Sequence, residues 1–115
     1  MIYNKGYDIY IDYNNNNNEL PKIYYKGKLL KPYLKRSNTH LQYPIVRIPN
    51  HGENYVHLII AFSYLNYKDK IKLSKYGRVV VDHIDGNTLN YKPENLRYLL
   101  HKDNIKLNNG YMKRD

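Results

Sequence analysis

The sequence has no cysteine and no tryptophan, and a single phenylalanine among 115 residues. Without cysteine there is neither a disulfide nor a thiolate-bound structural zinc, and the redox compartment is left open. The longest apolar run, "LIIAF" at 58–62, is far too short to cross a bilayer. The opening "MIYNKGYDIYIDY" lacks a basic segment leading into an apolar one, so it does not read as a secretory signal. Acid is scarce as well: 10 Asp and Glu stand against 19 Lys and Arg, for a formal charge of +9. Such a surplus favours a polyanion partner through phosphate contacts and counterion release, and by itself does not separate DNA from RNA. The expectation is a soluble intracellular protein with no membrane partner.

What is abundant is tyrosine, present 15 times, which packs its ring while its hydroxyl seeks a partner. Asn, Lys and Ile are frequent too. All four have AT-rich codons, which hints at a phage or large DNA virus genome and, for a viral source, a host cytoplasm or nucleus. Isolated Asn and Tyr residues therefore carry little functional weight. The length suits one domain, or two small lobes sharing a core. Nothing in the sequence fixes monomer or homodimer.

Along the chain, "NNNNN" at 14–18 is a polar tract that cannot bury surface and reads as a loop. Residues 7–11 before it alternate as a short strand. In "KIYYKGKLLKPYLK", 22–35, Lys26-Gly27-Lys28 reads as a hairpin turn between two strands, with Pro32 ending the second or bulging it. "YPIVRIP", 43–49, reads as a strand and "NHGEN", 50–54, as a turn. "YVHLIIAFSYL", 55–65, changes period, placing Val56, Ile59, Ile60 and Phe62 on one helix face. The charged "NYKDKIKLSKYG", 66–77, reads as a connecting loop. A strand at 78–84, a long loop, a strand at 96–100 and a helix over 101–110 follow, with Asp103 a candidate N-cap and Gly110 a stop. The fold class is α+β without repeats: a small N-terminal β-sheet with one helix, then a strand–loop–strand–helix unit.

Chemistry concentrates at "VDHIDGN", 81–87, where a strand of three valines runs into two carboxylates and a histidine. If the last helix folds back across the hairpin mouth, Asp82 and Asn104 offer oxygen ligands to one hard divalent cation such as Mg²⁺. His83, with an ordinary pKa of about 6.5, can deprotonate an attacking water near neutral pH. Neighbouring strand residues point to opposite faces, so Asp82 and His83 cooperate only if the strand twists or bulges at its end. Asp85 and Asn87 are better suited to shaping the turn around Gly86.

"VDHIDGNTLNYKPENLRYLLHKDN", 81–104, resembles the motif of HNH endonucleases of phage and intron-encoded type. "GKLLKPYLK", "YPIVRI" and "VHLIIAF" are similar, in that order, to the sheet and helix found upstream of many such motifs. The resemblance implies a ββα-metal (His-Me finger) fold and a homing-type nuclease that cuts or nicks DNA with Mg²⁺ or Mn²⁺, leaving 5′-phosphate ends. It implies that His83 is the general base, that Asp82 and Asn104 are metal ligands, and that Asn95 braces the loop and orients the His83 ring. His101 lies near the closing position but fits its spacing less well. An Asn in that position favours Mg²⁺ or Mn²⁺ over zinc-like ions. The zinc-stapling cysteine pairs of some relatives are absent, and the insertion at 66–77 is long.

These expectations divide the chain into an N-terminal segment 1–21 with the Asn-rich loop, a sheet-and-helix DNA-binding part 22–77, a nuclease finger 78–110, and a tail 111–115. Lys26, Lys28, Lys31, Lys35, Arg36 and Arg47 cluster on the upstream sheet among Tyr24, Tyr25, Tyr33 and Tyr43, a mixture suited to backbone and base contacts. Arg97, alternating with apolar residues, is a further candidate for a phosphate. The alternative is a DNA-binding protein without catalysis, in which the finger serves only as a scaffold.

Overall fold

The computed structural model describes residues 2–3, 8–16, 18–35 and 42–108. Arg36, expected to contact DNA, Gly110, expected to stop a helix, and the tail 111–115 lie outside the described residues.

Four short strands, β1 (Ile2–Tyr3), β2 (Ile9–Asp12), β3 (Lys22–Tyr25) and β4 (Lys28–Leu30), form an antiparallel sheet in sequence order. Lys26 and Gly27 join β3 to β4 with φ of 47° and 80°, the two positive values that a type I′ hairpin turn needs. Pro32 cannot donate to a ladder, and past it the chain leaves this sheet. It restarts as β5 (Tyr33–Leu34), which pairs with β6 (Pro44–Ile48), and β6 pairs with β7 (Gly52–Tyr55). The upstream part is thus two sheets rather than the single one expected.

Strand β7 overlaps the stretch expected as a turn and takes in Tyr55, expected at the start of the helix. The actual turn is tighter, with Asn50 at φ 67° and Gly52 at φ 77° reversing the chain so that Arg47 opposes Glu53. The polar residues of "GEN" obscure a strand whose pairing comes from β6.

Helix α1 (Val56–Tyr64) buries Val56, His57, Ile59, Ile60 and Ala61. Phe62, expected on that face, is 45% exposed. The segment expected as a charged loop is instead helix α2 (Tyr67–Ser74). The Asn66 side chain caps it, accepting from the Lys68 amide at 3.0 Å. None of its residues is buried, which is why it carries no apolar stripe to betray it.

The C-terminal unit follows the expected order. Strand β8 (Val79–His83) pairs antiparallel with β9 (Leu96–Leu100), a 3₁₀ turn at Pro93–Asn95 leads into β9, and α3 (His101–Asn108) follows at once and packs against both strands. Because α3 starts at His101, Asp103 sits in its first turn and is not the cap; its charge there suits the helix dipole.

One core joins these parts. Ile9, Ile11 and Ile23 from the first sheet, Val46 and Ile48 from the second, Val56, Ile59 and Ile60 from α1, and Tyr91 and Leu96 from the C-terminal unit form one buried cluster. Each fully buried isoleucine contributes about 1.5–3 kcal/mol. The hairpin that carries Asp82 and His83 is therefore fixed on its inner side by α1.

Candidate active site

The β8–β9 ladder runs without a bulge through Asp82, opposite Arg97, and His83, opposite Leu96. Successive side chains therefore leave on opposite faces of the ribbon, and the bulge that would bring Asp82 and His83 to one side is absent. On one face Arg97 Nε donates to Asp82 Oδ2 at 3.0 Å, with the Asp82 side chain 2% exposed and that of Arg97 34%. On the other, His83 joins a group of rings from three separate elements. Its centroid lies 5.0 Å from His57 and 5.8 Å from Tyr43. Tyr43 is also 5.0 Å from His57, and Tyr55 is 5.6 Å from His57. Nothing in the residue pattern marks Tyr43 for this role. For His57 a signal exists: its place beside the apolar stripe of α1 puts it at the edge of the core.

Burial, and next the neighbouring His83 ring, pull the His57 imidazole down from 6.5 to about 3. Its Nδ1 is buried with no hydrogen-bond partner among the described residues. A neutral His57 sets no positive charge against His83. The segment bearing Tyr43 is tied to the hairpin loop, because Thr88 Oγ1 donates to the Gln42 carbonyl at 2.5 Å.

The loop between the strands is organised around Asp85 and Asn95. Asn95 Nδ2 donates to Asp85 Oδ1 and to the Asn90 carbonyl, each at 2.9 Å, and its Oδ1 accepts from the Asp85 amide at 3.1 Å. The Asn95 carbonyl accepts from the Ile84 amide at 2.7 Å, and the His83 carbonyl from the Gly86 amide at 2.8 Å. Asp85 also takes bonds from the Asn87 amide and from Asn90 Nδ2. Burial pushes the Asp85 carboxyl up, but the bonds from Asn90, Asn87 and Asn95 and the nearby His83 outweigh it and hold the pKa below the usual range. Asn95 thus pins the loop immediately after His83, and Gly86 at φ 77° supplies the turn that closes it.

Asn104 lies on α3 one turn after His101 and is half-buried. The start of that helix is held to the beginning of β8 by the His101 amide, which donates to the Arg78 carbonyl at 2.7 Å. Among the described residues, no group of three or more His, Cys, Asp or Glu side chains is arranged to hold a metal. A metal centre here would be built from one carboxylate, Asp82, and the amide oxygen of Asn104. That all-oxygen pair fits a hard cation that keeps most of its waters, and does not fit a zinc-like ion. The charge of Asp82 is balanced by Arg97.

The basic residues of the upstream part are divided between the two sheets. Lys26, Lys28 and Lys31 are exposed on or beside the first sheet, with Lys26 Nζ 5.4 Å above the Tyr25 ring. Lys35 directly follows β5 and Arg47 lies on β6; Lys35 Nζ is 3.0 Å from Glu53 Oε1, and Arg47 faces Glu53 across the ladder. Tyr33 also donates to that carboxylate. Arg97 is engaged with Asp82.

No described helix is long and apolar enough to cross a membrane. Neither the curated proteins nor the solved structures contain a match to the chain. Residues 74–106, from the end of α2 into α3, match the family model described as HNH endonuclease. That stretch contains the Asp82–His83 strand end, the Asn95-braced loop and Asn104, so the similarity to HNH endonucleases falls on this strand–loop–strand–helix unit.

Proposed function

We propose that the protein is a metal-dependent endonuclease acting on DNA, with His83 as the base of a ββα-metal finger. The observation that carries this reading is the coincidence of the HNH match over 74–106 with a histidine at a strand end whose following loop is pinned by Asn95. In this reading the His83 imidazole takes a proton from a water, and the water oxygen attacks phosphorus as the leaving oxygen departs. The neutral His57 supports it by keeping a like charge away from His83. Asn95 holds the loop so that the His83 backbone cannot drift. Asp82 and Asn104 would hold Mg²⁺ or Mn²⁺, which would supply charge stabilisation at the leaving oxygen. Since Asp82 and His83 leave an unbulged ladder on opposite faces, this requires Asp82 to turn away from Arg97 at the strand end. Lys26, Lys28, Lys31, Lys35, Arg36, Arg47 and Arg97 are the proposed DNA contacts, with Lys35 and Arg97 having first to exchange their carboxylate partners for phosphate.

A second reading has its own observation. Asp82 is ion-paired to Arg97, and His83 is 4% exposed beneath other rings, an arrangement that suits a DNA-binding scaffold without turnover. Supercoiled plasmid with Mg²⁺ or Mn²⁺, with and without chelator, separates the two. The nuclease reading expects nicked or linear plasmid from wild type, none with chelator, and none from His83→Ala. Plasmid bound but left intact under every metal condition is the scaffold's result.

A further inference from the structure

Residues 66–73 of the insertion at 66–77 precede the stretch matched by the HNH model, and in the structure the insertion forms the most strongly basic helix of the described residues. Between Asn66 and Arg78 stand Lys68, Lys70, Lys72, Lys75 and Arg78, against one acid, Asp69. All five cations are exposed, and none takes part in an ion pair among the described residues. The sheet cations differ: Lys22 lies 3.7 Å from Glu19, and Lys35 lies 3.0 Å from Glu53.

Spacing turns composition into a surface. Lys68, Lys72 and Lys75 stand at i, i+4 and i+7, and Lys75, just past the last helical residue, keeps helical backbone at φ −64° and ψ −23°. At about 100° per residue, these three lie roughly 100–160° around the helix from half-buried Leu73, facing away from the protein. They span about 10 Å along the axis, the axial length of about three phosphates of one DNA strand. A rigid helix fixes these separations, where a loop would lose entropy to set them. Helix α2 packs on β9 and β8, so this row is attached directly to the hairpin that bears Asp82 and His83. Past α2 the Arg78 carbonyl receives the first amide of α3, whose exposed Lys102 and Lys106 extend the same charge along the finger.

We propose that the outer face of α2, through Lys68, Lys72 and Lys75, is a docking surface for the phosphate backbone of duplex DNA. It goes beyond the sheet residues named above and rests on the reading of DNA as partner. The role is sequence-independent: the row anchors one strand beside the finger, and base readout lies elsewhere.

The test measures binding, not cleavage. A fluorescent DNA duplex is titrated with the His83→Ala protein over a series of salt concentrations, and again with Lys68→Gln, Lys72→Gln and Lys75→Gln added together. The slope of log affinity against log salt should fall by about 2–3, near 0.9 for each phosphate that is no longer neutralised. A second variant with arginine at the same three positions should keep the parent slope, which separates missing charge from a disturbed helix. An unchanged slope in the glutamine variant overturns the proposal, as does an equal fall in the arginine variant. Tighter binding to an RNA duplex, or to vesicles of anionic lipid, also overturns it. The nuclease reading stands or falls separately, on the plasmid assay.

Discussion

Arg97 and Asp82 face each other across the β8–β9 ladder, 3.0 Å apart, the carboxylate buried and the guanidinium reaching solvent. Arg97 is thus part of what allows a carboxylate to sit inside a basic protein. Arg97→Ala should destabilise the fold by about 1.5–3 kcal/mol, toward the lower end because Arg97 is a third exposed. Arg97→Lys should recover only part, since an ammonium lacks the guanidinium's planar fork. Urea unfolding of the three proteins decides it, and an alanine variant as stable as wild type would contradict the pairing.

His57 gives a pH dependence of definite sign. Above pH 6.5 its imidazole is neutral in both folded and unfolded chains, and it contributes no slope. Below that, the unfolded chain binds a proton that the buried ring refuses until about pH 3. Stability should therefore drop as pH falls through that window, by up to about 1.4 kcal/mol per unit from this group. Urea midpoints measured from pH 7 to 4 should fall less steeply for His57→Phe than for wild type. Equal slopes would remove His57 as the source.

Asn95 predicts an ordering of two substitutions. Asn95→Ala removes the bonds to Asp85 and Asn90 and should cost about 1–3 kcal/mol. Asn95→Asp keeps the shape but sets a second carboxylate against Asp85, where the amide nitrogen now stands 2.9 Å away. It should be the worse of the two near pH 7, and the gap should narrow as pH falls and the carboxylates protonate. Denaturation at pH 7 and pH 4 measures both effects.

The Asn66 cap tests whether α2 is helical in solution. Asn66→Ala deletes the acceptor of the Lys68 amide and should cost about 1 kcal/mol. Hydrogen exchange at the α2 amides should speed up in that variant. Exchange in wild type as fast as in an unfolded peptide would make the segment the loop that its composition suggests.

Much of the local structure is legible from residue types. The β-branched run ending at Val81, the positive-φ pair Lys26-Gly27 and the period change at Val56 each express a steric preference that acts over a few neighbours. Segments whose conformation is imposed from outside are not legible in this way. Strand β7 has polar residues that β6 draws into pairing, and α2 has no buried residue to mark a period. Pro32 marks the end of a strand by its missing donor, but that it separates two sheets depends on where Tyr33 and Leu34 find a partner.

The candidate site divides along the same line. The sequence by itself determined the chemical inventory: Asp82 and His83 at a strand end, Asn95 and Asn104 downstream, a surplus of cations, and no cysteine to hold a metal. These follow from identity and spacing, which need no knowledge of packing. Tertiary structure alone decided that Asp82 meets Arg97, that His83 lies among His57 and Tyr43, and that Lys35 is neutralised by Glu53. Each of those contacts joins residues distant in the chain, so it is set by strand register and by which face of α1 the core selects. A shift of one residue in the β8–β9 ladder would exchange the surroundings of Asp82 and His83 while leaving every residue type unchanged.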